Sequence, residues 1–391
     1  MNSTIEKLGR KLRIAAAGGG EGAVIGNVHR TAMAFDGHFE IVAGALSSNP
    51  EKSRKYGAQL GLPRVYDSAF SMIRGEQSRE DRADAVAVMT PNDSHFSITN
   101  AALDSGFHVI CDKPLANTSS DATLLRDKAA AKNLLLAVTY NYSGYPMVRQ
   151  ARHLVATNEL GRIQMVEVRC LQGNLSAGIE NTGNVPKSLA WRLDPKQGGQ
   201  HHLMLDVGTH AHHLAAYVVG RDFTEVFADL GPAVAGRKFD DSAGIVARMQ
   251  GDVRASLLVT KAATGSPNVF GIQVYGEKAG IAWNQMHPNV LEIMRPGSIE
   301  LLQRTSEALG PLARHSIHVP TAHPEGFREA FANIYSDFAE VLTSHITGQE
   351  PNPLSLTLPS AAIGVAGLKF VEACDESKIK RAWVTIEKSA K

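Results

Sequence analysis

Two stretches of this chain hold residue types whose spacing suits chemistry. One runs Gly198-Gly199-Gln200-His201-His202-Leu203-Met204-Leu205-Asp206-Val207-Gly208-Thr209-His210-Ala211-His212-His213. Asp206 and His210 are four residues apart, so on a helix they would share a face. An acid beside an imidazole suits proton transfer near neutral pH. The same stripe offers His202, Asp206 and His210 as three ligands for a zinc ion. A third reading is a helix whose histidines only pack. Spacing alone leaves all three open. The other stretch is Cys111-Asp112-Lys113-Pro114, which closes an apolar run. At the carboxyl end of a parallel strand, Lys113 is placed to reach a substrate oxygen. By spacing alone an ordinary surface lysine is the better reading.

The elements that must position these residues follow from hydrophobic patterning. Up to about residue 140, short apolar runs (12–17, 39–46, 83–89, 108–111, 134–139) alternate with helical stretches (24–35, 50–60, 96–105, 119–131). Continuous apolar strands alternating with helices predict a parallel sheet covered on both faces. The first strand runs straight into Gly18-Gly19-Gly20-Glu21-Gly22-Ala23-Val24-Ile25-Gly26, and a helix follows. Glycines in that context let the backbone turn tightly and approach a pyrophosphate at a helix N-terminus. Gly18, Gly20, Gly22, Ala23, Ile25 and Gly26 are therefore candidate cofactor contacts. Gly18-x-Gly20 fits the usual spacing, but Gly26 arrives three residues late. The second strand ends Leu46-Ser47-Ser48-Asn49, without the acid that binds an NAD ribose. Ser47 and Ser48, with Lys52 or Arg54 nearby, suit a 2′-phosphate, so the reading is NAD or NADP with a lean towards NADP.

Beyond residue 140 the pattern changes. A helix over 146–158 is followed by strands over 163–172, 224–230, 244–249, 254–261, 270–275, 281–284 and 290–294, which predict an antiparallel sheet. Long helices return over 324–346 and 360–374. A chain of 391 residues is too long for one ordinary core, which also favours two domains. The formal net charge of +1 argues against a nucleic-acid partner. Three widely spaced cysteines fit neither a disulfide framework nor a zinc site. The polar first eleven residues do not read as a secretory signal, and no apolar run suits a membrane span. The expectation is a cytoplasmic protein with no membrane partner.

Taken together, these pieces resemble the glucose–fructose oxidoreductase/inositol dehydrogenase family, Gfo/Idh/MocA. Matching segments occur in order over nearly the whole chain. They are Gly26-Asn27-Val28-His29, Thr90-Pro91-Asn92-Asp93-Ser94-His95, His108-Val109-Ile110-Cys111-Asp112-Lys113-Pro114-Leu115-Ala116, Thr139-Tyr140-Asn141, and Gly198-Gly199 leading to Asp206-x-x-x-His210. The family's lysine motif is usually Glu-Lys-Pro; here Asp112 takes the glutamate's place and keeps the charge.

The resemblance implies an α/β protein. A Rossmann domain would occupy 1–140, and 141–391 would form an α/β domain with a large, mostly antiparallel open sheet serving a homodimer or homotetramer. It implies hydride transfer between nicotinamide and a secondary alcohol of a sugar, anhydrosugar or cyclic polyol. Lys113, Asp206 and His210 fall on the family's catalytic positions. Thr90, Pro91, Asn92, His95, Asp112 and Lys113 would join the glycine turn around the cofactor. Lys113, Asn141, Trp191, Arg192, Asp206 and His210 would hold the substrate, with Tyr140 and His287 as further pocket candidates. Under this reading the zinc alternative recedes and no metal is expected. Two rivals are an NAD-dependent glycosidase, acting by transient oxidation and elimination, and a non-enzymatic dinucleotide-sensing regulator. The presence of Lys113, Asp206 and His210 together favours the dehydrogenase.

Overall fold

A computed structural model describes residues 2–178, 180 and 201–387 of the chain. They form two compact units: Met1–Asn141 with Phe331–Val365, and Tyr142–Ala330 with Ala366–Lys391.

In the first unit, β1 (Leu12–Gly18), β2 (Phe39–Ala45), β3 (Arg64–Val65), β4 (Ala85–Met89), β5 (His108–Cys111) and β6 (Leu136–Val138) form one sheet. Its order is β3-β2-β1-β4-β5-β6, and every neighbouring pair is parallel. Leu12, Ile14, Ala15, Ala16 and Ala17 of β1 are all inaccessible to solvent, as a strand covered on both faces requires. The flanking helices start where short polar side chains accept backbone N–H groups. Asn49 caps Pro50–Gln59, Ser68 caps Ala69–Gln77 and Thr118 caps Ser119–Ala131. Strand order reverses between β1 and β4, and it is at the carboxyl ends beside such a reversal that open α/β sheets bind ligands.

The sequence pattern placed one boundary near residue 140, dividing the chain into 1–140 and 141–391. The chain instead returns to the first unit through Phe331–Val365. The helix Phe327–Thr347 carries Phe331, Tyr335, Phe338 and Leu342 on one apolar stripe, and these share a core with Leu12, Ile14, Met33 and Phe39.

The second unit is built on β7 (Ile163–Leu171), β8 (Phe223–Gly231), β9 (Ser242–Met249), β10 (Val253–Thr260), β11 (Val269–Gly276), β12 (Gly280–Asn284), β13 (Val290–Arg295), β14 (Ser298–Gln303) and β15 (Val384–Thr385). Their order is β14-β13-β12-β11-β7-β10-β9-β8-β15. Only β7 and β10 run parallel; the other pairs are antiparallel. In β10, Val253, Ala255, Leu257 and Val259 face inward while Arg254, Ser256 and Leu258 face solvent. The helix Thr209–Val219 packs against β7 and β11, and Pro146–Ala156 against β12 and β13. On the outer face, cross-strand register lines up Leu301, Glu292, Ala282, Gln273, Glu167, Ser256, Val246 and Phe227 in one row. Phe227, Val246, Leu258, Ile299 and Leu301 are exposed apolar side chains there.

Candidate active site

The glycine turn leaves β1 with Gly18, Gly19 and Gly22 at φ of 86°, 69° and 78°, the left-handed region that favours glycine. A Cβ on Gly20 would sit 2.2 Å from the Leu46 carbonyl oxygen, and one on Gly26 would sit 2.3 Å from Gly19 Cα. The residues that lengthen the turn are absorbed by a tight bend in which Ala23 N–H donates to the Gly20 carbonyl at 3.1 Å. Gly26 therefore still packs the helix Val24–Phe35 onto the end of β1, despite its late position in sequence. That helix has Ala23 at its N-cap, with no side-chain capping bond. A helix start without a side-chain cap is the kind of N-terminus that suits a pyrophosphate. The Arg30 guanidinium donates to the Gly19 carbonyl and, at 3.0 Å, to the Tyr56 hydroxyl. This brace was not foreseen, because nothing local in the sequence links Arg30 to the turn.

At the end of β2, the Ser47 hydroxyl accepts the Asn49 N–H at 3.2 Å, and Asn49 caps the next helix. Arg54 is paired with Asp67. Of the residues considered for a 2′-phosphate, Ser48, Lys52 and Arg54 are exposed.

The ends of β4, β5 and β6 converge on Asp112. Its carboxylate accepts the Lys113 N–H at 2.9 Å and the Thr139 hydroxyl at 2.7 Å, and His29 Nε2 lies 3.8 Å away. The other His29 nitrogen meets the Tyr335 hydroxyl at 2.7 Å. Burial alone would raise the Asp112 carboxyl, but His29, Lys113 and His95 outweigh it and hold the acid well below the usual carboxylate range. The Lys113–Pro114 bond is cis.

His95 is buried, with Nδ1 2.7 Å from the Pro114 carbonyl and Nε2 2.8 Å from the Thr90 carbonyl. Two acceptors demand two N–H donors, which only the imidazolium supplies. Burial opposes that charge, but Cys111, Asp112 and the Pro114 carbonyl prevail and raise the imidazole to about 9. It fastens the Thr90–Ser94 turn to the Lys113–Pro114 loop.

Tyr140 and Asn141 follow β6, both buried. The Asn141 amide nitrogen has no partner among the described residues, leaving a buried donor for a ligand. Asn92 is buried in the turn after β4.

In the second unit, Asp206 does not lie in a regular α-helix. Met204–Gly208 forms a π-helical turn closed by Thr209 N–H to the Met204 carbonyl, and the α-helix Thr209–Val219 continues from it. Such wide turns recur at functional sites. The Asp206 carboxylate accepts from Lys261, whose ammonium also lies 3.2 Å from His202 Nε2. Lys261 is 1% exposed. The ammonium thus fills the place that a metal shared by His202 and Asp206 would take. His210 meets Tyr142 edge to face, ring centres 5.0 Å apart, with Phe270 at 6.4 Å. Burial, Cys170, Tyr145 and Asp206 hold the Tyr142 phenol well above its ordinary range, so it stays protonated. His212 and His213 are buried, and burial lowers His212 to about 3. They are packing residues. His287 lies in a hollow on the outer sheet face with Glu167, Arg169, Trp283 and Leu301, a lining that includes neither Asp206 nor His210. Trp191, Arg192, Gly198 and Gly199 lie outside the described residues.

Lys261 was not foreseen either. It stands at the end of β10, 55 residues from Asp206, and only the sheet brings the two together.

Comparison with known proteins accords with this geometry. Residues 12–140 match the model of an oxidoreductase family with an NAD-binding Rossmann fold. Residues 148–282 match that of the GFO/IDH/MocA C-terminal domain. The protein is thus an oxidoreductase built on a dinucleotide-binding domain. More specifically, the chain belongs to the Gfo/Idh/MocA family. It is similar to an inositol dehydrogenase homolog from Azotobacter vinelandii, solved with NAD+. Identity is 33%, coverage 96% of this chain and 97% of that one, and the TM-score 0.90. The same homolog solved with NADH and myo-inositol gives 33% identity, coverage of 97% and 98%, and a TM-score of 0.88. Levoglucosan dehydrogenase from Pseudarthrobacter phenanthrenivorans is 25% identical, covering 96% of this chain and 98% of that one. No helix among the described residues is long and apolar enough to cross a membrane.

Proposed function

We propose that this protein is an NAD(P)-dependent dehydrogenase acting on a ring secondary alcohol of a cyclic polyol, sugar or anhydrosugar. The observation that carries the reading is the half-buried Asp206 held by buried Lys261 and His202, one turn from His210, in a chain whose first unit presents a phosphate cradle. The names of the relatives, which act on or bind myo-inositol and levoglucosan, support that substrate class. Gly18, Gly20, Gly22, Ala23, Ile25 and Gly26 would hold the pyrophosphate, and Ser47, Ser48 and Lys52 the ribose edge. With no carboxylate after Leu46, that edge supports NADP at least as well as NAD.

A bound nicotinamide supplies a hydride acceptor. The rest falls to side chains. His210 takes the hydroxyl proton on an imidazole nitrogen as the carbinol C–H bond breaks, so the alcohol becomes a ketone. Lys113 stabilises the oxygen as it gains negative charge. Asp206 keeps the proton-transfer site in charge balance, and Asn141 donates to a substrate hydroxyl. Thr90, Pro91 and Asn92 line the nicotinamide side. The second unit binds substrate, and its outer sheet face pairs with a second copy in a homodimer or homotetramer, burying its apolar row. The buried Cys111, Cys170 and Cys374, with no disulfide among the described residues, support a cytoplasmic location.

The test is absorbance of the reduced cofactor with NAD and NADP against inositols, aldoses, anhydrosugars and disaccharides. Lys113→Ala or His210→Ala lowers turnover by about 10²–10⁴-fold while cofactor binding persists. Sugar release without net reduction would point instead to the eliminating glycosidase. Full turnover in both variants would sink the residue assignment.

A further inference from the structure

We propose that Lys261 is a positioning residue of the reaction, acting through Asp206. It would fix that carboxylate and His202 as one charge-balanced unit beside His210. This rests on the dehydrogenase reading above and adds a residue to it.

The geometry supplies the argument. Lys261 is 1% exposed, yet its ammonium donates to Asp206 and lies 3.2 Å from His202 Nε2. With Lys261 donating, His202 Nε2 is an acceptor, so His202 is a neutral imidazole carrying its proton on Nδ1. The main chain of Lys261 is also held. Its N–H donates to the Asp241 carbonyl at 2.8 Å, and the Asp241 carboxylate accepts from buried Arg237 at 2.6 Å. Arg237 in turn donates to the Leu175 carbonyl at 2.6 Å and to Glu180. The ammonium is thus presented from a braced strand end.

A buried ion pair is weak evidence for stability, since apolar residues of similar size often serve as well or better. What the ammonium supplies here is position and charge. Asp206 lies in the wide π turn, off the regular geometry of the α-helix that follows it. A carboxylate balanced by Lys261 also draws less proton affinity onto His210 than a bare one would. The groups around Asp206 and His210 are Lys261 from the end of β10, with His202 from the preceding turn against it, Tyr142 from the turn after β6 and His213 from the helix of His210.

The experiment compares the wild type, Lys261→Met, Asp206→Asn and the double variant, using kcat, KM, the pH profile of kcat/KM and cofactor affinity by NADH fluorescence. Lys261→Met should lower kcat by about 10-fold to 100-fold and move the acidic limb of the profile to higher pH, leaving NADH affinity within about twofold. The double variant should be no slower than Asp206→Asn, because residues acting as a unit are not additive. It also keeps the test open if Lys261→Met does not fold, since it removes both charges together. A kcat within about threefold of wild type in Lys261→Met, or losses that multiply in the double variant, would overturn the proposal and leave the dehydrogenase standing. A wild type inert with every alcohol would overturn the dehydrogenase itself, and this proposal with it.

Discussion

The clamp formed by His95 yields a prediction with a definite sign. Both its ring nitrogens face carbonyl oxygens, Pro114 at 2.7 Å and Thr90 at 2.8 Å, and the folded imidazole is raised to about 9. In the unfolded chain a histidine releases its proton near ~6.5. Between those values the folded state binds the extra proton, so stability falls as pH rises. The contribution is complete below the unfolded value and lost as pH passes the folded one. At 1.36 kcal/mol for each tenfold change in proton affinity, it amounts to about 3 kcal/mol.

The perturbation is His95→Gln, which keeps hydrogen-bond donors and removes the charge. Denaturant unfolding at pH 6 and again above pH 9 should show a gap of about 3 kcal/mol between wild type and variant at the lower pH, closing at the higher. The ring ¹⁵N signals of histidine-labelled protein give a direct check. The signal absent from His95→Gln should titrate near pH 9. A His95 ring that titrates at or below its ordinary value, or a stability gap independent of pH, would refute the reasoning.

Two further outcomes follow from the geometry. Gly20→Ala would set a Cβ 2.2 Å from the Leu46 carbonyl oxygen, a backbone atom that cannot swing away. It should weaken NADH binding by about tenfold or more, worth ~1.4 kcal/mol, and unchanged affinity in a fluorescence titration would mean that the turn does not cradle the dinucleotide. Val246→Asp with Leu301→Asp places charges in the exposed apolar row of the outer sheet face. Light scattering should show a smaller assembly than wild type, and a wild type that runs as a monomer would remove the proposed interface.

How much of this was legible in the sequence depends on the distance over which each feature is determined. The glycine turn was legible because its demand is local. Positive φ and close backbone approach select glycine residue by residue, and the following helix is contiguous. Three extra residues hid the spacing, but not the composition. The parallel sheet was legible for the same reason, since each strand announces burial on both faces. β14 was missed because most of its residues are exposed and give no alternation. The stripe Phe331, Tyr335, Phe338 and Leu342 was legible as helix but not as part of the first unit, because periodicity reports that a face is buried and not which core receives it. The candidate catalytic cluster shows the limit most plainly. Asp206 and His210 stand out by type and spacing, whereas the ammonium paired with Asp206 comes from a strand end 55 residues away. A lysine after a β-strand carries no mark of that role, and the π turn that turns Asp206 towards it has no composition of its own. Where a site's electrostatics depend on such a partner, sequence spacing nominates the reacting groups, but only the packed sheet supplies the charge that tunes them.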